Sequence, residues 1–173
     1  MNDDIKQKFE MIYEKESDAI FRFCFFKISD REQALDITQE TFLRLWKNLS
    51  EKNDIINNRA FLFTVARNLV IDWYRKKKSI LFEDIAFDEE GGYDPSDEMT
   101  AEHQTLKAEG RYLLEKINEL TSSNRQPLYL RFVEDLSPPE IGEILGISAN
   151  AVSVRINRGL EELRKIAGNV ANK

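Results

Sequence analysis

The sequence predicts an all-α protein made of two small helical domains joined by a flexible acidic linker. Three observations carry this expectation. Apolar residues recur at three- and four-residue spacing through most of the 173 positions, while Gly and Pro number only seven and four. Residues 79 to 105 hold nine carboxylates and no Lys or Arg, together with Gly91-Gly92 and Pro95, and their apolar residues follow no period. From Leu136 to Arg158, helix start and stop signals fall at the spacing of two short helices and a tight turn.

The first helix is expected from about Asp4 to Ile28, with an aromatic face that includes Phe9, Tyr13, Phe21 and Phe25. Cys24 sits there among Phe21, Phe23, Phe25 and Phe26, the setting of a buried small hydrophobe; a single cysteine excludes a disulfide or a thiolate metal site within one chain. The second helix opens on Asp30 as N-cap, with Gln33 at its third position, and runs to about Asn48. Ala34, Ile37, Thr41 and Leu45 form its core stripe, with Phe42 and Leu49 adjoining. The third helix is expected from about Asn58 to Lys78 on a stripe of Phe61, Leu62, Val65, Leu69 and Trp73. Beyond the linker come helices over about Leu106 to Leu120 and Ser122 to Glu134.

The last pair of helices is the most informative stretch. Ser137 caps the first of them, Pro138 and Pro139 suit its opening turn, and Glu140 completes a capping box. Ile141, Ile144 and Leu145 form its apolar face, and Gly142 permits close approach of a second helix. Gly146 makes the turn, Ile147 plugs the space between the helices, and Ser148 caps the next one. There Val152, Ile156, Leu160 and Leu163 share one face, which leaves Ser153, Asn157 and Arg158 outward and Arg155 at the flank. This is the pattern of a helix-turn-helix, whose second helix enters the DNA major groove.

A net charge of −6 sits oddly with binding to DNA until its distribution is considered. The acid is concentrated in residues 79 to 105; without those nine carboxylates the chain carries +3, with basic clusters at Arg75-Lys76-Lys77-Lys78 and at Arg155, Arg158, Arg164 and Lys165. His103 is the lone histidine and has no partners for a metal site. Neither a nucleotide-binding glycine loop nor a nucleophile with a histidine base is present, so no enzyme activity, cofactor or small-molecule substrate is expected. With no signal peptide or membrane-length apolar run, the expected location is the cytoplasm, without membrane insertion. The chain ends at Lys173, so no further sensing domain is expected. On these features alone two other readings stay open: a helix-turn-helix regulator that binds duplex DNA as a dimer, and a helical protein-interaction module.

The second helix, Asp30-Arg-Glu-Gln-Ala-Leu-Asp-Ile-Thr-Gln-Glu-Thr-Phe-Leu-Arg-Leu-Trp46, resembles sigma region two of bacterial extracytoplasmic-function (ECF) sigma factors. The third, Ala60-Phe-Leu-Phe-Thr-Val-Ala-Arg-Asn-Leu-Val-Ile-Asp-Trp-Tyr-Arg75, is similar to the promoter-melting helix of the same domain, and Asn124 to Arg164 resembles sigma region four. The resemblance covers essentially the whole chain outside the linker. It implies a sigma region two over residues 1–78, an acidic linker over 79–105 and a sigma region four over 106–173. The partners it implies are core RNA polymerase, promoter DNA and an anti-sigma protein. Region two of the family grips the polymerase clamp and captures an unpaired base of the minus-ten element. Region four docks on the polymerase flap and reads the minus-thirty-five element, while the linker runs through the enzyme's channel.

Residue by residue, the resemblance assigns Asp36, Gln39, Glu40, Leu43, Arg44 and Trp46 to the polymerase clamp, a face mixing carboxylates with apolar surface. Strand opening needs cations that track phosphates and polar or aromatic groups that receive a base, which points to Arg59, Arg67, Asn68, Trp73, Arg75 and Lys76. The loop from Glu51 to Asn58, with Asn53, Asn57 and Asn58, is where the flipped base is expected to be read by amide groups. For the minus-thirty-five element Ser153, Asn157 and Arg158 are expected at base edges or adjacent phosphates, and Val154 at a thymine methyl. Arg155 and Arg164 are expected on the backbone, with Arg131 and Asn150 adding phosphate contacts.

Overall fold

The computed structural model describes residues 2–81 and 108–170. Seven helices make up these residues, and they divide into two compact units, one formed by the first three helices and one by the last four. The predicted linker starts inside the end of the third helix; its residues 82–105, and His103 with them, lie outside the described residues. No helix among the described residues is long and apolar enough to cross a membrane.

In the first unit, α1 (Asn2–Ile28), α2 (Arg31–Ser50) and α3 (Asn58–Leu81) each pack against the other two. Asp30 caps α2 as its sequence suggested, with Oδ1 accepting from the Gln33 backbone N–H at 3.1 Å. The expected stripe of α2 is buried in full: Ala34, Ile37, Thr41, Phe42, Leu45 and Leu49. Thr38 and Thr41 enter this core because each hydroxyl donates to the carbonyl one turn back, at 2.7 Å to Ala34 O and 2.7 Å to Ile37 O. Cys24 is fully buried, and the loss of water pushes its thiol up to about 12, only partly countered by Thr38.

The core face of α3 differs from the stripe expected. Ala60, Leu62, Phe63, Ala66, Val70 and Tyr74 are buried, whereas Phe61, Val65, Leu69 and Trp73 are half-buried at the margin. The helix has apolar side chains almost all round, so periodicity alone leaves its rotation open. Packing against two helices at once sets it, with small Ala60 and Ala66 in the interior and the Phe23 and Phe63 rings meeting edge to face at 5.4 Å. The far end of α3 is tied down twice: the Tyr74 hydroxyl donates to the Lys27 carbonyl, and Trp73 Nε1 donates to Gln33 Oε1 at 3.0 Å.

The second unit contains α4 (Ala108–Asn118), α5 (Ser122–Phe132), α6 (Pro138–Leu145) and α7 (Ala149–Val170). Helix α5 is its centre, buried continuously from Asn124 to Leu130. The helix-turn-helix is built as its sequence indicates. Ser137 and Glu140 form the capping box, and Gly146 closes α6 at φ 68°, the left-handed region that suits glycine. Gly142 leaves no room for a side chain: a Cβ there would lie 2.6 Å from the Ile147 carbonyl oxygen. Ser148 Oγ accepts from the Ala151 N–H at 3.1 Å, capping α7.

Two details of this pair depart from expectation. Ile147 is half-buried rather than a full plug, because Gly142 already brings the turn into contact. On α7, Val152 and Ile156 are buried, but the next buried position is Gly159, while Leu160 and Leu163 are half-buried. Gly159 lies against Leu128 of α5, where a Cβ would meet Leu128 Cδ1 at 2.7 Å, so α7 turns its glycine and not its leucines toward the centre of the unit.

Candidate functional site

Three surfaces gather the residues singled out from the sequence. The first is the side of α2 opposite its core stripe. Asp36, Gln39, Leu43 and Arg44 are exposed there, and Glu40 is half-buried. Arg44 Nε donates to Glu40 Oε1 at 2.8 Å, one helical turn away, which keeps this pair of charges in register. Leu43 is 62% exposed, a large apolar group held out from a folded helix. Trp46 is half-buried, its ring meeting Phe9 edge to face at 5.3 Å, and Tyr13 meets Phe42 at 4.8 Å beside it. This aromatic cluster joins α1 to α2 and fixes the helix that presents Leu43. Leu35 was missed: it is exposed eight residues before Leu43 with Gln39 between them, a helical spacing opposite the core stripe that the sequence already contained.

The second surface is the α2–α3 loop with α3. Asn57 caps α3, its Oδ1 accepting from the Ala60 N–H at 3.0 Å, so one amide oxygen expected at a base serves the helix. Asn58 Oδ1 is buried with no hydrogen-bond partner among the described residues. Arg59 is drawn to buried Glu16, Nε to Oε2 at 3.4 Å, and lies over the Phe63 ring at 5.8 Å. Asn53 is exposed and donates to Glu51 Oε2 at 3.3 Å. Along α3, Asn68, Arg75 and Lys76 are exposed on one side, and Arg75 has a loose pair with Asp72 at 3.7 Å. Arg67 is half-buried, and this partial burial lowers its pKa from the usual guanidinium value. Trp73 is also half-buried, its ring covered by Lys77 Nζ at 5.0 Å and by Tyr74 at 4.9 Å, which leaves it a brace more than a bare stacking platform. One further feature went unread: Ile56, next to the capping asparagine, is 102% exposed.

The third surface is the outer side of α7. Asn150, Asn157 and Arg158 are exposed, Val154 is 39% exposed, and Ser153 and Arg155 are half-buried at the edges. Ser153 Oγ donates to the Ala149 carbonyl at 3.0 Å, which spends its proton inside the helix and turns the hydroxyl into an acceptor toward a ligand. Arg164 is exposed further along. Arg131 lies elsewhere, donating to the Leu136 carbonyl at 3.2 Å and pairing with Asp135 at 3.6 Å, so it braces the bend between α5 and α6.

A polar joint that the sequence did not reveal fixes α7 against α5. Thr121 is the N-cap residue of α5, but its side chain makes no capping bond. Glu162 of α7 takes that place, its carboxylate accepting from the Thr121 N–H at 3.0 Å, the Thr121 hydroxyl at 2.9 Å and Asn124 Nδ2 at 2.6 Å. Desolvation works against ionisation of Glu162, but the hydrogen bonds from Thr121 and Asn124 and the charge of Lys165 outweigh it, so its pKa is lowered. Thr121 and Glu162 are 41 residues apart, too far for any local pattern to link them.

Two family models match the chain: "Sigma-70 region 2" over residues 12–80 and "Sigma-70, region 4" over residues 110–163. The chain is 34% identical over 157 residues to the ECF RNA polymerase sigma factor SigW of Bacillus subtilis, covering 86% of this chain and 82% of the relative. It is 25% identical over 167 residues to SigX of the same organism, covering 93% and 84%. Among solved structures it is similar in fold to the sigma factor RpoE of Bartonella quintana, co-crystallised with the anti-sigma factor NepR. That match has a TM-score of 0.67, 19% identity, and covers 94% of this chain and 98% of that one. The structure of CnrH in complex with the cytosolic domain of CnrY gives a TM-score of 0.64 at 20% identity, covering 95% and 90%.

Proposed function

Since the chain belongs to the ECF sigma factors of the sigma-70 family, the initiation subunits that direct RNA polymerase to promoters, we propose that each of its three surfaces performs one step of initiation. The exposed side of α2, with Asp36, Gln39, Glu40, Leu43 and Arg44 braced by Trp46, docks on the clamp of core polymerase. The loop before α3, with Asn57, Asn58 and Arg59, and the helix itself, with Arg67, Asn68, Trp73, Arg75 and Lys76, take up the opened minus-ten strand. The outer side of α7, with Asn150, Ser153, Val154, Arg155, Asn157 and Arg158, enters the major groove of the minus-thirty-five element. Residues 1–78 and 106–173 are the working domains on this reading, and residues 79–105 the linker between them.

The observation that carries the proposal is the Asn157–Arg158 pair, exposed on a helix whose start is fixed by Ser148, Gly142 and Gly146. Bidentate amide and guanidinium groups at a helix surface are the groups that read base edges. The protein acts in the cytoplasm, where the polymerase is, and contributes no bond-making chemistry of its own. An anti-sigma protein holds it inactive by covering the α2 and α7 surfaces; the solved RpoE chain, similar in fold, is in complex with the anti-sigma factor NepR.

The test is transcription by purified core polymerase, with and without this chain, on fragments of the host genome. Transcripts that begin at defined sites only when the chain is added are the expected result, and their upstream sequences give both promoter elements. No core binding, with dimeric binding to a palindromic duplex, would replace the proposal with a conventional regulator.

A further inference from the structure

Ile56 stands apart from the other exposed apolar residues. It is 102% exposed, against 62% for Leu43, the next most exposed of the large apolar side chains described. A single exposed isoleucine is unremarkable on most surfaces; here both shoulders of its loop are fixed. On one side Lys52 takes the left-handed conformation, φ 56°, with its N–H bonded to the Leu49 carbonyl at 3.1 Å and the Asn53 N–H to the Asn48 carbonyl at 3.2 Å. On the other, Asn57 is held twice, its Oδ1 by the Ala60 N–H and its carbonyl by the Phe61 N–H, both at 3.0 Å. Ile55, before it, is half-buried. What remains is one β-branched side chain, stiff at χ1, projecting from a short loop held at both ends.

The charges of the loop indicate which part of a nucleic acid it meets. Glu51 and Asp54 are exposed there with Lys52, so the tip has no excess of positive charge with which to hold phosphates. The uncharged part of a nucleic acid is the base. A convex apolar group cannot form a pocket around a base, but it can enter the stack between two of them, as inserted Ile, Leu, Met and Phe do in proteins that kink duplex DNA. We propose that Ile56 is such a wedge: it enters the stack at the edge of the minus-ten element as the strands part, and keeps the two bases from closing again. The proposal rests on the assignment of the α2–α3 loop to the minus-ten strand.

The experiment follows promoter opening by holoenzyme, through permanganate reactivity of unpaired thymines, on a promoter mapped by the transcription assay. The same promoter carrying a non-complementary minus-ten segment serves as a template that is already open. Ile56→Ser should melt at the wild-type temperature and bind core polymerase as wild type. It should slow opening of the duplex promoter about tenfold, a part of the unstacking energy of one base step, and change use of the open template less than twofold. Ile56→Leu should restore opening. Wild-type opening by Ile56→Ser overturns the wedge, and so does an equal loss on both templates, which would make Ile56 a contact to a base already extruded. If wild-type holoenzyme fails on both templates, the function on which the wedge depends is overturned first.

Discussion

Replacing Gly142 with alanine should open the turn that sets the direction of α7. The new Cβ would lie 2.6 Å from the Ile147 carbonyl oxygen, 3.4 Å from the Ala149 nitrogen and 3.5 Å from the Ser148 carbonyl carbon, all of them backbone atoms. To reach ordinary contact the turn must retreat by roughly 0.8 Å, and no side-chain rotation can supply that movement. The retreat strains the bond from the Ile147 N–H to the Gly142 carbonyl, now 3.0 Å, which holds the same turn closed. Overpacking costs about 1–3 kcal/mol and the weakened hydrogen bond about 1, while alanine returns about 1 through helix propensity. The net loss is about 2 kcal/mol, which for a unit of this size lowers its melting temperature by roughly 8–16 °C. Calorimetry of the full chain, together with titration of a minus-thirty-five duplex, checks this. Gly159→Ala is the comparison: there the Cβ meets a side-chain end, Leu128 Cδ1 at 2.7 Å, which can shift in part within the core, so the loss should be smaller than at Gly142. A Gly142→Ala protein that melts with wild type, or a Gly159→Ala protein that melts lower than Gly142→Ala, would refute the argument.

Three other outcomes follow from the geometry. Glu162→Ala should cost about 1 kcal/mol at neutral pH, from the loss of the hydrogen bonds that tie α7 to the start of α5. Because the folded pKa of Glu162 is lowered from 4.5, its contribution is complete above that value and lost as the pH falls through the folded pKa. Melting curves of the variant and wild type should therefore converge in acid, and a constant gap down to low pH would contradict this. Cys24, buried and with its thiol pushed up to about 12, should not react with a thiol reagent at pH 8 until denaturant unfolds the first unit; prompt reaction of the native protein would show that α1 opens there. Asn157→Ala should lose about 1–3 kcal/mol of affinity for the minus-thirty-five sequence alone, whereas Arg164→Ala should weaken all duplexes alike and flatten the log–log salt dependence by about 0.9. Filter binding across salt concentrations separates the two, and the opposite pattern would exchange their roles.

The parts of this protein legible in its sequence are those governed by neighbouring residues. Asp30 with Gln33, Ser137 with Glu140, and Gly146 followed by Ser148 each act within a few positions, and each stands in the structure where its chemistry placed it. The rotation of α3 was not legible, because a helix with Phe61, Leu62, Phe63, Val65, Leu69 and Val70 offers an apolar side in several directions. Its partners chose the direction that takes in Ala60, Ala66 and Tyr74. Glycine at 159 concealed the contact face of α7 for a related reason: hydropathy credits a leucine and ignores the residue whose missing side chain admits a neighbour. For the surfaces, outward polar residues on α7 were readable from spacing, but the commitment of Arg59 to Glu16 and of Asn57 to the start of α3 depends on contacts that a linear pattern does not contain.

The Glu162 joint has a mechanical consequence. α7 is a rod held at its front by the turn at Gly142 and by Val152, at its middle by Ile156 and Gly159, and at its rear by Glu162, twelve residues and about 18 Å along the axis from Asn150 at 1.5 Å per residue. Such a rod tilts only when its rear hold gives way, and a few tenths of an ångström is enough to spoil hydrogen bonds made from its front. On the proposed reading, a carboxylate placed well behind the DNA-facing residues therefore helps to aim them, through three hydrogen bonds at the rear of the helix.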